Sequence, residues 1–297
     1  MPDHFPDPVS PSSSHQPIVI PITALDGARF ELLCVQPASE WRQLLYWLPA
    51  MGVPARHYLP MAEALAARGI AMVIHEWRGI GSSDRRAGRR SNWGYRELLL
   101  DDLPPAMAAV QLRWPDKTRL IGGHSLGGQV ACLYAALHPR DHSGIALVAS
   151  GAPYWRAYPR GWLIKLGCML APLAANLRGY LPGRRIGFAG NEARGLTADW
   201  ARSARTGRYS ASGMAQDLDE RLAALRVPVF ALLLRDDWLV PAASLAWLLG
   251  RMPHSPSRVV ELEPDDLHGQ PADHFSWMKT PAPIVERLAH WMHSPGA

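Results

Sequence analysis

The sequence predicts an α/β fold: an eight-stranded, mostly parallel sheet flanked by helices and carrying a cap insertion. Three observations predict it. From residue 43 onward, short apolar runs alternate with stretches of helical periodicity, the pattern of a parallel sheet covered on both faces. The run at 118–124 passes into the helical pattern at 126–138 through a Gly-x-Ser-x-Gly turn. Residues 151–225 then interrupt the alternation before it resumes at 228.

Taken in order, residues 1–16 are rich in Pro and Ser and poor in large apolar groups, and are expected to form a disordered tail. Runs 17–23 and 29–37, joined through Asp26-Gly27, predict an antiparallel hairpin at a sheet edge. Residues 43–50 read as a buried strand, 57–68 as a helix closed by Gly69, and 70–77 as a further strand. The turn Arg78-Gly79-Ile80-Gly81-Ser82 follows; it lacks the third glycine and the immediate helix of a dinucleotide-binding loop, so it is read as structural. Helical residues 95–113 are expected to break near Pro104-Pro105. Strand 118–124, helix 126–138 and strand 144–150 come next. The insertion at 151–225 opens with Tyr154, Trp155, Tyr158 and Trp162 and closes on an amphipathic stretch at 215–225. It reads as a cap whose aromatics either pack the cap or wall an apolar substrate pocket. Strand 228–234, helix 242–251, strand 258–262 and helix 281–293 complete the core of 17–150 and 226–297.

Composition narrows the function. An apolar fraction of 48% over 297 residues suits one large domain with an insertion. Cys34, Cys132 and Cys168 are far apart and without metal spacing, so they read as packing residues in a reducing, cytoplasmic setting, and no cofactor or metal is expected. The charge is +5, and of 31 basic residues only Lys117, Lys165 and Lys279 are lysines. Arginines cluster at Arg85, Arg86, Arg89 and Arg90 and again from Arg184 to Arg208, without the aromatic interleaving or the fold of a nucleic-acid binder. They are solvated faces or sites for an anionic ligand or surface. The first residues show no charged start followed by an apolar run, so no secretory leader is expected. The most apolar stretch, Trp162 to Leu177, is interrupted by Lys165, Gly167 and Pro172; it is too short to span a bilayer of about 20 residues and leaves room for peripheral contact with lipid. Oligomeric state is not legible.

The candidate centre is Ser125, in Gly123-His124-Ser125-Leu126-Gly127-Gly128. A sharp strand-to-helix turn presses backbone against backbone, which calls for glycine two residues to either side of the serine. It also aims the Leu126 N–H, with the positive end of the helix, at an oxyanion formed beside Ser125.

The strand order with the elbow after the fifth strand resembles the α/β-hydrolase fold over nearly all of residues 17–293. Pro49-Ala50-Met51-Gly52-Val53, His75 to Ser82 and Gly123 to Gly128 are similar to those of a branch of bacterial α/β hydrolases without an assigned substrate. That resemblance implies an acid after the seventh strand. In Leu234-Arg235-Asp236-Asp237-Trp238-Leu239-Val240-Pro241 the spacing to Val240-Pro241 selects Asp237, with Asp236 as the alternative because Leu234 replaces the family's glycine. It implies a second oxyanion donor after the third strand, the Met51 N–H or else that of Gly52. For the base, the loop before the last helix offers His268 and His274. The resemblance and the packing residues Phe275 and Trp277 favour His274; His268 sits among polar neighbours. The expected activity is that of a serine hydrolase opening a carboxylic ester or thioester with an apolar acyl group through an acyl-enzyme. An acyltransferase using the same intermediate and a non-catalytic binding protein on this scaffold are the alternatives.

Overall fold

The computed structural model describes residues 16–293; apart from Gln16, the expected tail lies outside the described residues. Eight strands form one sheet: β1 (Ile18–Thr23), β2 (Arg29–Val35), β3 (Gln43–Leu48), β4 (Ile70–Ile74), β5 (Thr118–His124) and β6 (Ile145–Val148), then, past the two short strands of the insertion, β9 (Val229–Leu234) and β10 (Ser257–Leu262). Their spatial order is β1-β2-β4-β3-β5-β6-β9-β10. The hairpin β1–β2 pairs antiparallel from Ile18 opposite Cys34 to Thr23 opposite Arg29, and β2 runs antiparallel to β4; all other pairs are parallel. This is the topology that the resemblance implies.

Strand period divides the core. On β3, Leu44, Tyr46 and Leu48 face one apolar layer while Leu45 and Trp47 face the other, as alternation across a pleated sheet demands. The first layer is closed by helices α2 (Leu103–Arg113), α3 (Leu126–Leu137) and α8 (Ala242–Leu249), the second by α1 (Leu59–Ala66) and α9 (Ala282–His293). The prolines in the predicted break do not end a helix. They sit in the first turns of α2, which continues from a π-helical segment Glu97–Asp102. Pro105 has no N–H to offer the Asp101 carbonyl, and that carbonyl instead accepts the Leu25 N–H of the hairpin turn at 3.0 Å. The same corner holds Arg78, buried, with Asp102 at 2.6 Å and Asp26 at 2.6 Å. Burial pushes the Asp102 carboxyl up to about 6 against the pull of the guanidinium.

Between β6 and β9 lie α4 (Gly161–Arg178), β7 (Tyr180–Pro182), α5 (Gly183–Ile186), β8 (Asn191–Ala193), α6 (Arg194–Thr206) and α7 (Leu218–Ala224), with β7 and β8 forming a separate two-stranded sheet. The insertion is tied to the core through residues 92–95. Leu196 N–H donates to the Trp93 carbonyl at 2.7 Å, Gly195 N–H to Asn92 Oδ1 at 2.8 Å, and Tyr95 N–H to the buried Asp199 carboxylate at 3.1 Å. All three cysteines are free and buried.

Candidate active site

Ser125 stands between β5 and α3 with φ 55° and ψ −120°, a region that a side chain enters at a cost of roughly 1–3 kcal/mol and only when its surroundings hold it there. Those surroundings are on hand. The Ser125 carbonyl accepts Ser150 Oγ at 2.7 Å and the Gly128 N–H at 3.1 Å, and its N–H donates to the Val148 carbonyl at 3.3 Å. A Cβ on Gly123 would overlap the Gly127 backbone, and one on Gly127 the carbonyls of Leu48 and Pro49. The glycines therefore do what the sequence asked of them, and Gly127 also seats the start of α3 against the end of β3. Ser125 is half-buried.

His274 and Asp237 meet. Nδ1 of His274 lies 2.7 Å from Asp237 Oδ2, while Asp237 Oδ1 accepts the N–H groups of Leu239 at 2.9 Å and Val240 at 3.1 Å. Both side chains are buried. The His274 loop is fixed at its backbone as well: Trp277 Nε1 donates to the His274 carbonyl at 3.0 Å, and Asp273 caps the following turn through Phe275 and Ser276 N–H at 2.9 and 2.7 Å. The His274 ring lies 4.7 Å, centre to centre, from that of His124, the residue before Ser125. Asp236 is exposed and pairs instead with the backbone of Ala272, accepting its N–H at 3.3 Å and donating its own to the Ala272 carbonyl at 2.9 Å. His268 is exposed in a left-handed conformation at the end of a turn. The geometry thus brings together Asp237 and His274 of the two pairs of candidates.

Leu126 opens α3, where first-turn N–H groups have no acceptor within the helix, and Met51 follows β3 on the facing loop. Both line one cavity of about 380 Å³, together with Trp77, Ile80, Trp93, Leu98 and Leu196 on its apolar side and Arg86, Arg184 and Glu192 on its polar side. Burial pushes the Glu192 carboxyl up to about 7, although it accepts the Gly190 N–H at 2.9 Å. The aromatics expected to wall this space lie elsewhere. Trp162 is 62% exposed, Trp155 lies under Arg156 and Lys165, and the Tyr158 hydroxyl donates to the Leu239 carbonyl at 3.0 Å. Helix α4 turns Trp162 outward because its buried edge is made of the small residues Gly161, Cys168 and Ala175.

Sequence reasoning missed the frame that holds the Met51 loop. The Tyr58 hydroxyl accepts the Ala50 N–H at 2.9 Å and meets His124 Nδ1 at 2.8 Å. Burial keeps the His124 ring neutral by holding its pKa well below the usual value. Trp77 Nε1 donates to the Pro49 carbonyl at 2.9 Å. Glu76, its carboxyl raised by burial, spans Ala55 N–H at 3.0 Å and Ser82 N–H at 3.4 Å, and Gly81 (φ 49°) leaves the space that this carboxylate fills. The only signals in the sequence were polar residues in apolar runs, which do not name their partners.

The family model for serine aminopeptidases of the S33 type matches residues 39–268. Similar solved structures include an esterase from Exiguobacterium antarcticum (15% identity, 93% of this chain and 100% of that one, TM-score 0.63). A thermophilic esterase from Thermogutta terrifontis (18%, 95% and 100%, 0.62) and the esterase domain of a Rhodothermus marinus protein (16%, 93% and 98%, 0.61) share the same α/β-hydrolase fold. No curated protein matches the sequence.

Proposed function

The chain belongs to the serine aminopeptidase S33 family of α/β hydrolases, and we propose that within it the chain is a serine hydrolase that opens a carboxylic ester or thioester through Ser125, His274 and Asp237. The observation that carries this reading is the 2.7 Å pair of His274 Nδ1 and Asp237 Oδ2. With Nδ1 engaged, Nε2 is the nitrogen left to take a proton, on a ring packed against the residue that precedes Ser125. Ser125 Oγ attacks the substrate carbonyl carbon as its proton passes to His274 Nε2, and Asp237 stabilises the imidazolium. The carbonyl oxygen becomes an oxyanion held by the Met51 and Leu126 N–H groups. The tetrahedral adduct collapses, the bond to the leaving group breaks, and His274 returns the proton to that group. Water, deprotonated by His274, then opens the acyl-enzyme and restores Ser125.

Residues 151–225 act as the cap in this reading, and the cavity beside Met51 and Leu126 receives the acyl group against Trp77, Trp93 and Leu196. The Ser125–His274 hydrogen bond forms as substrate closes the site, since such contacts are often open in a free enzyme. A fluorophosphonate probe tests the proposal. Labelling of the wild type and its loss in Ser125→Ala and His274→Ala support it; a folded wild type that never labels, or labelling retained in Ser125→Ala, overturns it. Parallel turnover of p-nitrophenyl esters, thioesters and aminoacyl anilides then ranks the acyl bonds.

A further inference from the structure

One helix of the insertion shows an apolar face to solvent that neither the fold nor the site uses. On α4, Trp162, Leu163, Leu166, Met169, Leu170, Leu173 and Leu177 are each between 47% and 79% exposed. At 100° per residue they fall within an arc of about 120°, and the stripe runs along the helix for about 23 Å. Single exposed apolar residues are ordinary on a protein surface, but seven in one stripe are not. The opposite edge of the helix, Gly161, Cys168 and Ala175, is buried, Cys168 packing on Ala201 and Ala204 of α6, so the stripe does not turn inward without undoing that packing.

The charge around the stripe has one sign. On the helical wheel Lys165 lies beyond one edge of the arc and Arg178 beyond the other. From residue 151 to 191 the chain has no Asp or Glu, against Arg156, Arg160, Lys165, Arg178, Arg184 and Arg185. Arg160, Lys165, Arg178 and Arg185 have no ion pair among the described residues. Arg89, of the first arginine cluster, donates to the Leu177 carbonyl at 2.8 Å and so brings that cluster to the end of the helix. An apolar stripe with an aromatic at one end and cations at both edges is the composition of a helix that lies in the headgroup region of an anionic bilayer. No helix among the described residues is long and apolar enough to cross one. A second copy of the chain fits less well, because apposed α4 faces would bring two cationic rims together with no acidic partner from this segment.

We propose that the exposed face of α4 is a docking surface for an anionic phospholipid bilayer, on which the helix lies with Trp162 and its leucines among the acyl chains and the basic residues among the headgroups. The chain leaving α4 contributes Tyr180 and Arg184 to the cavity wall, so docking sets one side of the cavity beside the lipid. The proposal does not rest on the hydrolase reading.

The experiment is flotation of the full chain with large unilamellar vesicles of phosphatidylcholine alone and of phosphatidylcholine with one-third phosphatidylglycerol, at low and high salt. The expected result is a partition onto the anionic vesicles about tenfold above that onto neutral ones, weakened by salt. Leu166→Glu with Leu170→Glu should abolish it, Lys165→Glu with Arg178→Glu should lower it about tenfold, and Ser125→Ala should leave it unchanged. Each pair is exposed, so the variants are expected to keep the wild-type melting temperature and turnover of a soluble short ester. A wild type that stays unbound at low salt overturns the proposal, as does undiminished binding by the double-glutamate variant. Light scattering that finds a wild-type dimer dissolved by that same variant assigns the face to a second copy and overturns it too.

Discussion

Tyr58→Phe removes one hydroxyl and strips two buried groups of their partner, the Ala50 N–H at 2.9 Å and His124 Nδ1 at 2.8 Å. Tyr58, Ala50 and His124 are all within about 1% of complete burial, so water does not replace the lost bonds. A buried polar group left unsatisfied costs about 1–3 kcal/mol. His124 can recover part of that by changing tautomer, which puts the total near 2–4 kcal/mol. For a chain of this size that is a fall in Tm of about 3–6 °C. The second effect is on chemistry. Ala50 precedes Met51, and losing an oxyanion donor outright costs about 10²–10³ in kcat. A loop still held by the Trp77–Pro49 bond and by Val53 N–H on the Ala50 carbonyl should lose less, about tenfold in kcat with little change in KM. The assay pairs calorimetry with steady-state turnover of a short p-nitrophenyl ester. Tyr46→Phe serves as the comparison, since among the described residues that buried hydroxyl meets His75, at 2.9 Å, and its loss should cost stability without kcat. If Tyr58→Phe destabilises as expected but turns over like the wild type, the hydroxyl does not position the Met51 loop.

Three further outcomes follow from the site. Asp237→Asn should lower kcat by about 10⁴, whereas Asp236→Asn, which disturbs only the Ala272 backbone, should cost less than tenfold; a reversed ranking would move the acid to Asp236. Glu192 has a folded-state carboxyl raised to about 7 from 4.5, so its protonated form is the stabilised one. Its contribution is whole below pH 4.5 and is lost as pH rises through about 7. Glu192→Gln keeps an oxygen for the Gly190 N–H, so urea melts at pH 5 and pH 8 should show the variant gaining about 3 kcal/mol relative to wild type at the higher pH. An unchanged gap would mean that the carboxyl is not buried in solution. Finally, Trp93→Leu should shift the ratio of kcat/KM between long and short acyl esters, and Trp162→Ala should leave that ratio alone; the opposite pattern would return the acyl pocket to the outer face of α4.

How much of this the sequence disclosed follows from what each kind of signal encodes. Strand and helix periods are local, so the eight runs and the elbow were legible, and so was the demand for glycine at 123 and 127. Boundaries were less so: Pro104-Pro105 announces missing donors but not that the Asp101 carbonyl finds Leu25, some 75 residues earlier in the chain. The acid and the base were each narrowed to two residues, because chain order specifies a loop and not a direction. Direction is set by contacts such as the capping of Asp237 by Leu239 and Val240 N–H, which turns its other oxygen toward His274. The aromatics of the insertion show the same limit. Trp155, Tyr158 and Trp162 looked like pocket walls because aromatic residues gather at pockets, yet for Trp162 it is the rotation of α4 that decides which side it faces. On α4 that rotation is fixed by Gly161, Cys168 and Ala175, the three positions small enough to let the helix close on its neighbour. The face left outward carries seven exposed apolar side chains, so part of the segment that composition marked for the pocket is handed by packing to the surface, and the cavity takes its walls from Trp77 and Trp93 of the core instead.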